Sequence, residues 1–485
     1  MRRAKIVCTL GPAVASAERI LQLVEAGMDV ARLNMSHGDH PDHEQNVVHV
    51  RAAAERTGKA IAILADLQGP KIRLGRFAEG SIEVAVGDRF TITVDDVQGD
   101  QDRCSTTYKG LPGDVSPGDQ ILVDDGRMRL RALEVTATEV VTTVETSGTL
   151  SNNKGINLPG VSVSVPAMSE KDIADLRFAL HQDVDFVALS FVRNARDAED
   201  VRRIMREENI HRPVIAKIEK PQAVENLDEI MDAFDGVMVA RGDLGVELPL
   251  EDVPIVQKLI VEKARRNAKP VIVATQMLES MISAPRPTRA EASDVANAVL
   301  DGADAVMLSG ETSVGEYPIQ TVKTMARIIE STEDHGLPRM AAYTWTPKTR
   351  TGIICRGASE VAEAIGAQYV IAFTTIGGSA RRMARYRSPI PVLAFTPDDL
   401  TRRQLALTWG VETFLVPEVK HTDEMVMQVD KRLLEIARCD HGQEVVIVAG
   451  APPGIPGSTN ALRIHRMGDA INKVVPAYDD LEEED

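Results

Sequence analysis

Short apolar runs alternate with amphipathic stretches along most of the chain. Eight of these runs have the character of buried strands: 4–10, 28–35, 61–67, 184–192, 213–219, 236–243, 270–277 and 303–310. Helical periodicity fills the stretches between them, as at 16–26, 195–209, 254–268 and 288–300. Apolar strands that alternate with helices are typical of a parallel sheet covered on both faces. Eight such units predict an α/β protein with a (β/α)8 TIM barrel, although an open α/β sheet would give a similar pattern.

Two regions depart from this rhythm. Residues 71–165 show short strands of alternating polarity with Gly-Asp and Asp-Gly turns, which predict a small all-β domain inserted after the third barrel strand. An insertion at that end of a strand can act as a lid over the barrel. Strand and helix patterns restart after residue 340. The predicted parts are a barrel, 1–70 and 166–340, a β-barrel lid, 71–165, a C-terminal α/β domain, 341–475, and an acidic tail, 476–485.

Composition and charge narrow the possible functions. The formal net charge is −17, which disfavours a protein that coats nucleic acid or anionic membrane. No window approaches 18 consecutive apolar residues, so we expect no membrane span and no membrane partner. The four cysteines have no CxxC spacing, which argues against a disulfide framework or a zinc site and fits a cytoplasmic protein.

Polar residues gather where the predicted strands end, and in a barrel this end is the catalytic face. They are Arg32, Asn34, Ser36, His37, Asp66, Lys217, Glu219, Gly242, Asp243 and Thr275. Lys217 and Glu219 are two residues apart and therefore point to the same side of their strand. The carboxylates of Glu219 and Asp243 suit Mg²⁺ or Mn²⁺, and Arg32, Lys217 and Arg73 would attract phosphate. Each charged residue alone is more often an ion pair or a cap than a catalyst, but together they would be a costly way to fill a core.

Seven motifs resemble the pyruvate kinase family, in order from about residue 4 to about residue 470. They are MDVARLNMSHG, ADLQGPKIRLG, VIAKIEKPQAVEN, VMVARGDLGVELP, PVIVATQMLESM, RPTRAEASDVANAVLDGADAVMLSGETSVGEYP and GAPPGIPGSTN. The resemblance implies a barrel with an inserted lid and a C-terminal regulatory domain, usually in a homotetramer. It also implies the final step of glycolysis, in which a phosphoryl group passes from phosphoenolpyruvate to ADP to give pyruvate and ATP.

The resemblance implies a role for each residue at the strand ends. Glu219 and Asp243 would hold Mg²⁺ (or Mn²⁺), and Lys217 would neutralise charge on the phosphoryl group in transit. Thr275 would lie beside the enol carbon and relay a proton through water. The residues implied to contact phosphoenolpyruvate are Arg32, Gly242, Asp243 and Thr275, and those implied to contact the nucleotide are Arg73, His37 and Lys154.

The stretch ADLQGPKIRLG raises a separate question about monovalent cations. Asp66, Asn34 and Ser36 match the positions of the family's K⁺ ligands. Family members that need K⁺ usually carry Glu where this chain has Lys71 and Thr where it has Leu67. We hypothesise that the ammonium of Lys71 takes the electrostatic place of the ion and that K⁺ is not required. The alternative is that Lys71 is a surface residue paired with an acid.

A second candidate site lies in FTTIGGSARRMARYR, residues 373–387. Hydroxyls and glycines between a strand and a basic helix suit a phosphate cradle, although an ordinary βα turn has the same local pattern. The family binds a sugar-phosphate or nucleotide effector here, together with the loop 452–459. The implied effector residues are Thr374, Thr375, Gly378, Ser379 and Arg381.

Two other functions compete with the kinase. One is a Mg²⁺-dependent aldolase acting on oxo-acids, which would need neither an inserted lid nor a lysine beside Glu219. The other is a family member without activity that senses phosphorylated metabolites through its C-terminal domain. Loss of Lys217, Glu219 or Asp243 would indicate the sensor, and all three are present.

Overall fold

The computed structural model describes residues 2–161, 163–340 and 343–472. The predicted acidic tail, 476–485, lies outside these residues. The strands in chain order are β1 Lys5–Thr9, β2 Val30–Asn34, β3 Ala62–Asp66, β4 Ser81–Val84, β5 Arg89–Thr93, β6 Arg103–Ser105, β7 Gln120–Val123, β8 Met128–Val135, β9 Glu139–Val144, β10 Gly148–Ser151, β11 Ile156–Asn157, β12 Phe186–Leu189, β13 Val214–Ile218, β14 Gly236–Ala240, β15 Val271–Ala274, β16 Ala305–Leu308, β17 Val370–Phe373, β18 Val392–Thr396, β19 Val411–Leu415, β20 Glu444–Gly450 and β21 Thr459–Arg466.

The helices connect these strands, and several begin with strong capping signals. In chain order they are α1 Ala17–Ala26, α2 His40–Thr57, α3 Leu111–Asp114, α4 Glu170–His181, α5 Asp197–Glu207, α6 Pro221–Glu225, α7 Leu227–Ala233, α8 Arg241–Glu247, α9 Val253–Arg266, α10 Arg289–Asp301, α11 Gly310–Ser313, α12 Pro318–Gly336, α13 Arg350–Ile365, α14 Gly378–Ala384, α15 Asp399–Gln404, α16 Thr422–Glu435 and α17 Asp469–Asn472. Short 3-10 helices cover Glu279–Ile282, Leu337–Arg339 and Leu405–Leu407. Reciprocal Ser-Asp and Thr-Glu capping boxes start α4 and α10.

Eight parallel strands close into a barrel in the order β1-β16-β15-β14-β13-β12-β3-β2. Because β1 pairs with both β2 and β16, the barrel has no free edge, which removes the open-sheet alternative. The predicted runs extend one to three residues beyond the observed strands. The largest excess is at 184–192, which begins two residues before and ends three residues after β12. At 236–243, β14 stops at Ala240 because the next residues form α8.

Strands β4 to β11 lie between β3 and β12 in the chain and form two sheets of their own. One has the order β11-β7-β8-β9-β5-β6 and the other pairs β10 with β4. A separate core, which includes Phe90, Ile92 and Leu130, fills this region. The all-β insertion is therefore present, and its bounds of 71–165 stay a prediction.

The C-terminal residues form a five-stranded sheet in the order β19-β18-β17-β20-β21. The sequence predicts four strands here, at 369–373, 390–395, 411–415 and 444–449, and the corresponding β17 to β20 are parallel. Strand β21 runs antiparallel to β20 and was not predicted. Its sequence, TNALRIHR, has few buried positions, so the apolar run that marks a central strand is absent.

The four cysteines are buried and free. Among the residues that the structure describes, no helix combines the length and the apolar character needed to cross a membrane.

Candidate active site

The strand ends bring four charged side chains together inside the barrel mouth. Lys217 Nζ lies 2.9 Å from Oε1 of Glu219 and 3.2 Å from Oδ1 of Asp66. Arg32 donates from Nε to Oδ2 of Asp66 at 2.7 Å. All four residues are buried, so the cluster is almost free of bulk water. The predicted pairing of Lys217 with Glu219 on one side of β13 agrees with this geometry.

Three further residues hold this cluster in place, and sequence reasoning missed them. Ser190 Oγ accepts a hydrogen bond from Lys217 Nζ at 2.7 Å and donates to the carbonyl of Leu67 at 2.7 Å. The backbone N–H of Phe191, in the left-handed region at φ +56°, donates to Oε2 of Glu219 at 2.7 Å. Thr9 Oγ1 accepts from Arg32 Nη1 at 2.9 Å. Ser190 and Thr9 lie where buried strands end, and this was the signal that could have found them.

Burial and mutual contact perturb the pKa values of the cluster. Burial would lower the pKa of Lys217, but Asp66 and Glu219 outweigh it and raise that pKa above its ordinary value. Burial would raise the pKa of Asp66, but Lys217 and Arg32 hold it below its usual range. Burial raises the pKa of Glu219 to about 7, against the opposing influence of Lys217 and with Asp243 adding to the increase. Lys217 is therefore an ammonium and Asp66 a carboxylate, and Glu219 binds a proton more readily than an ordinary glutamate.

Helix α8 and the end of β15 form the next part of the site. A Cβ on Gly242 would lie 2.8 Å from Cγ2 of Thr275, so only glycine fits against this threonine. Thr275 and Gln276 both have positive φ, +73° and +55°, a costly conformation that fixes the direction of the Thr275 side chain. Arg241 binds the carbonyl of Thr275 at 2.7 Å and the carboxylate of Asp294 at 2.7 Å. Arg241 thus holds the loop that follows β15 in place.

The cations of ADLQGPKIRLG do not neutralise the carboxylate that precedes them. The carboxylate of Asp66 is paired by Arg32 and Lys217, as described above. Lys71 Nζ instead lies 3.8 Å from Oδ1 of Asp125 in the inserted region. Arg73 donates to the carbonyl of Asn153 at 3.1 Å. Within the described residues, no hydrogen bond or ion pair joins Lys71 to Asn34, Ser36 or Asp66.

The predicted nucleotide residues lie in two places. Arg73 pairs in a β-bridge with Gly155, next to Lys154, so these two cations come from adjacent segments of the inserted region. Lys154 Nζ binds Oδ1 of Asp124 at 2.8 Å. His37 is exposed on the loop after β2, and its carbonyl accepts from His43 at 2.9 Å.

The residues predicted to bind cations carry oxygen donors. They are Glu219 and Asp243 for the divalent ion, and Asn34, Ser36 and Asp66 for the monovalent ion. Across the described ranges, no group of three or more His, Cys, Asp and Glu side chains is arranged to hold a metal ion. A divalent ion at Glu219 and Asp243 would therefore take its other ligands from substrate and water, as Mg²⁺ commonly does. Asn34 and Asp66 are neighbours across β2 and β3. The buried Oδ1 of Asp66 already contacts the ammonium of Lys217 at 3.2 Å.

Known proteins match this chain over nearly its whole length. A family model described as pyruvate kinase, barrel domain, matches residues 1–322, and one described as pyruvate kinase, alpha/beta domain, matches residues 353–465. The chain belongs to the pyruvate kinase family. A pyruvate kinase from Corynebacterium glutamicum is 60% identical over 96% of this chain and 98% of the relative. One from Mycobacterium tuberculosis is 57% identical over 96% and 99%. A crystal structure of a pyruvate kinase from Cryptosporidium parvum has a TM-score of 0.90 at 36% identity and covers 96% of each chain.

This pyruvate kinase family member has a second cavity, of about 200 Å³, in its C-terminal sheet region. Thr374, Thr375, Gly378 and Ser379 line one side of it, and the loop 453–459 lines the other. Arg382 lines this cavity, whereas Arg381 lines a different one. Arg381 Nη2 donates to the carbonyl of Ile376, a lining residue of the first cavity, at 2.7 Å, so the effector role of Arg381 stays a prediction.

Proposed function

We propose that this protein transfers a phosphoryl group from phosphoenolpyruvate to ADP in a Mg²⁺-dependent reaction in the cytoplasm. The observation that carries the proposal is the buried ammonium of Lys217, held between two carboxylates and Ser190 at the barrel mouth. A fixed cation in a water-poor site suits a reaction in which charge moves between oxygen atoms.

Each barrel residue has a distinct part in this proposal. Arg32 uses Nε and Nη1 for Asp66 and Thr9, so its remaining guanidinium donors can bind the phosphate of phosphoenolpyruvate. Lys217 balances the charge on the phosphoryl group during transfer. The backbone N–H groups near Gly242 and Asp243 bind the substrate carboxylate, because the first N–H groups of a helix have no partners within it. Thr275, fixed by its positive φ, places a hydroxyl beside the enol carbon and relays the proton through water.

The inserted region and the metal would bind the remaining substrate groups. Arg73 and Lys154, on adjacent segments, would bind the phosphates of ADP when the lid closes over the barrel, with His37 on the barrel side. Glu219 and Asp243 would hold Mg²⁺ (or Mn²⁺), which supplies Lewis-acid charge neutralisation when bound.

A turnover assay tests the reaction directly. Phosphoenolpyruvate, ADP and Mg²⁺ are expected to yield pyruvate and ATP, with no product when either ADP or the metal is omitted. Cleavage of an oxo-acid without ADP would indicate the aldolase instead. Absence of turnover even with sugar phosphates and AMP added would indicate the sensor.

We further propose that K⁺ is not required, because Lys71, five residues after Asp66 in the chain, brings a positive charge to the segment that follows β3. The expected result is full turnover in buffer free of K⁺ and NH₄⁺, with no increase on adding KCl. Lys71→Glu should make activity depend on KCl. Asp125→Asn removes the present partner of Lys71 and serves as the matched control, which should stay independent of K⁺. Turnover of the unsubstituted protein only after KCl addition would refute the hypothesis.

The cavity formed by β17, α14 and the loop 453–459 is proposed to bind a phosphorylated activator. Its hydroxyl groups and Arg382 match a phosphate in chemistry. The double substitution of Thr375 and Ser379 by Ala should abolish activation and leave the unactivated rate unchanged. Activation that survives both substitutions would count against the site.

Exposed apolar side chains support the homotetramer implied by the family. One group lies just before and along α9 and consists of Leu250, Ile255 and Leu259. A second group lies on α13 and β21 and consists of Ile353, Leu462 and Ile464. In the described residues, β21 is also an edge strand without a second partner. Two separate apolar faces suit a closed assembly with two kinds of two-fold interface. Ile464→Lys should reduce the mass seen by light scattering to that of a dimer, whereas Leu415→Lys on the opposite edge strand should not.

A further inference from the structure

A basic crevice of about 10 Å³, with room for about one water molecule, lies where the barrel contacts the C-terminal residues. Its lining contains five cationic side chains: Arg265, Lys269, Arg381, Arg385 and Arg387. Asp304 is the one carboxylate among the lining residues. That carboxylate already accepts from the backbone N–H groups of Trp409 at 3.0 Å and Val271 at 3.2 Å. The cavity therefore carries a large excess of positive charge.

The arginines of this cavity are held mainly by neutral groups. Arg265 donates to the carbonyl of Arg385 at 3.2 Å, and Arg385 donates to the carbonyl of Arg266 at 3.2 Å. Arg387 binds the carbonyl of Gly302 at 2.6 Å and reaches Asp304 at 3.3 Å. Three guanidiniums have thus been placed side by side with a single anion between them.

Three of these side chains retain unused donors. Arg265, Arg385 and Arg387 are each more than nine-tenths buried, and the Nε of each is buried without a hydrogen-bond acceptor. A buried N–H without an acceptor is uncommon and costs free energy, more so when the group is charged. Burial lowers the pKa of Arg265 to about 10, with Arg387 adding to the effect, and burial likewise lowers the pKa of Arg381 to about 10. The cavity is therefore under electrostatic strain that an anion would relieve.

We propose that this cavity is a second anion site that takes a phosphate group, either free or carried by a small metabolite. A phosphate presents several acceptor oxygens and up to two negative charges, which match guanidinium forks that lack acceptors. Ala268, Lys269 and Arg381 are half-buried and form an entrance from solvent. The cavity is narrow, so a phosphate enters only as the long arginine side chains move apart.

The site is separate from the cavity proposed for the activator. Helix α14 lies between the two, with Arg382 on the activator side and Arg381 on the basic side. The basic side also contacts the barrel through Arg265 and Lys269. An anion held here therefore touches both the barrel and α14, and the two cavities can influence each other through one short helix.

The two tryptophans of the chain give a direct readout. The Arg385 guanidinium lies 5.6 Å from the Trp345 ring, and that of Arg387 lies 4.8 Å from the Trp409 ring. Movement of these arginines should change tryptophan fluorescence. We would titrate the full-length protein with inorganic phosphate at constant ionic strength, with chloride as the reference salt, and repeat the titration with glycerol 2-phosphate. Tighter binding of the monoester would assign the phosphate to a metabolite, and tighter binding of inorganic phosphate would assign it to the free ion.

Two variants and a matched control locate the signal. Arg381→Gln removes one half-exposed cation, and Ala268→Glu adds a carboxylate at the entrance without deleting a contact. Each should raise the half-saturating phosphate concentration at least tenfold. Arg382→Gln, one residue away on the other face of α14, should leave it unchanged. The proposal is overturned if the wild-type signal does not saturate, if both cavity variants titrate like the wild type, or if only Arg382→Gln alters the midpoint.

Discussion

Replacement of Lys217 by Met tests the role proposed for the cation at the barrel mouth. The side chain contacts Glu219 at 2.9 Å, Asp66 at 3.2 Å and Ser190 at 2.7 Å. Methionine fills similar space but removes the charge. Asp66 would keep Arg32 as its partner. Glu219, whose pKa is already about 7, would lose its nearest cation and bind a proton more readily.

The expected magnitudes separate a catalytic effect from a structural one. Removing one fixed group that stabilises transition-state charge typically lowers kcat by about 10²–10³, or about 3–4 kcal/mol. Lys217 carries a full charge, so we expect kcat to fall about 10³-fold. The free energy of unfolding should fall by less than about 3 kcal/mol, because neither carboxylate is left as an unpaired buried charge.

Pyruvate formation and urea unfolding, measured on the same preparations, give the two quantities. The control is Lys323→Met, which removes an exposed lysine on α12 and should change neither. A folded Lys217→Met variant whose kcat lies within tenfold of the wild type would refute the proposed role. A large loss of stability with little loss of kcat would show that Lys217 serves the fold alone.

Two further substitutions test other contacts of the site. Gly242→Ala should lower kcat/KM about 10–100-fold, because its Cβ would lie 2.8 Å from Cγ2 of Thr275. Thr275→Ser removes that methyl group and keeps the hydroxyl, so it should partly rescue the Ala variant in a double-mutant cycle, and strictly additive losses would contradict the contact. Asp66→Asn should cost about 3–5 kcal/mol of unfolding free energy at neutral pH, since it leaves Arg32 and Lys217 as buried cations without this carboxylate. The pKa of Asp66 is lowered in the folded protein. Its carboxylate therefore contributes fully to the free energy of unfolding at pH values above the ordinary pKa of an aspartate, and this contribution is lost as the pH falls through the folded-state pKa. The difference in unfolding free energy between the wild type and Asp66→Asn should therefore become smaller in acid. A difference that does not change with pH in urea unfolding would contradict this expectation.

The sequence alone predicted eight buried strands and the charged residues at their ends. Strand period and apolar runs are local properties, so these strands, and the shared side of Lys217 and Glu219, could be predicted without a structure. The motifs identified the family for the same reason, since each is a continuous stretch of sequence. Strand β21 was not predicted because this edge strand lacks a continuous apolar run.

Tertiary structure decided which charges meet. Asp66 pairs with Arg32 and Lys217 from other strands, although Lys71 and Arg73 are closer in the chain. The rotation of α14 against the barrel sends Arg381 to the basic cavity and Arg382 to the other. Arg265 and Arg385, 120 positions apart, meet in that cavity. Local sequence sets the direction of a side chain relative to its own element, but only the packing of elements against each other sets what that side chain touches.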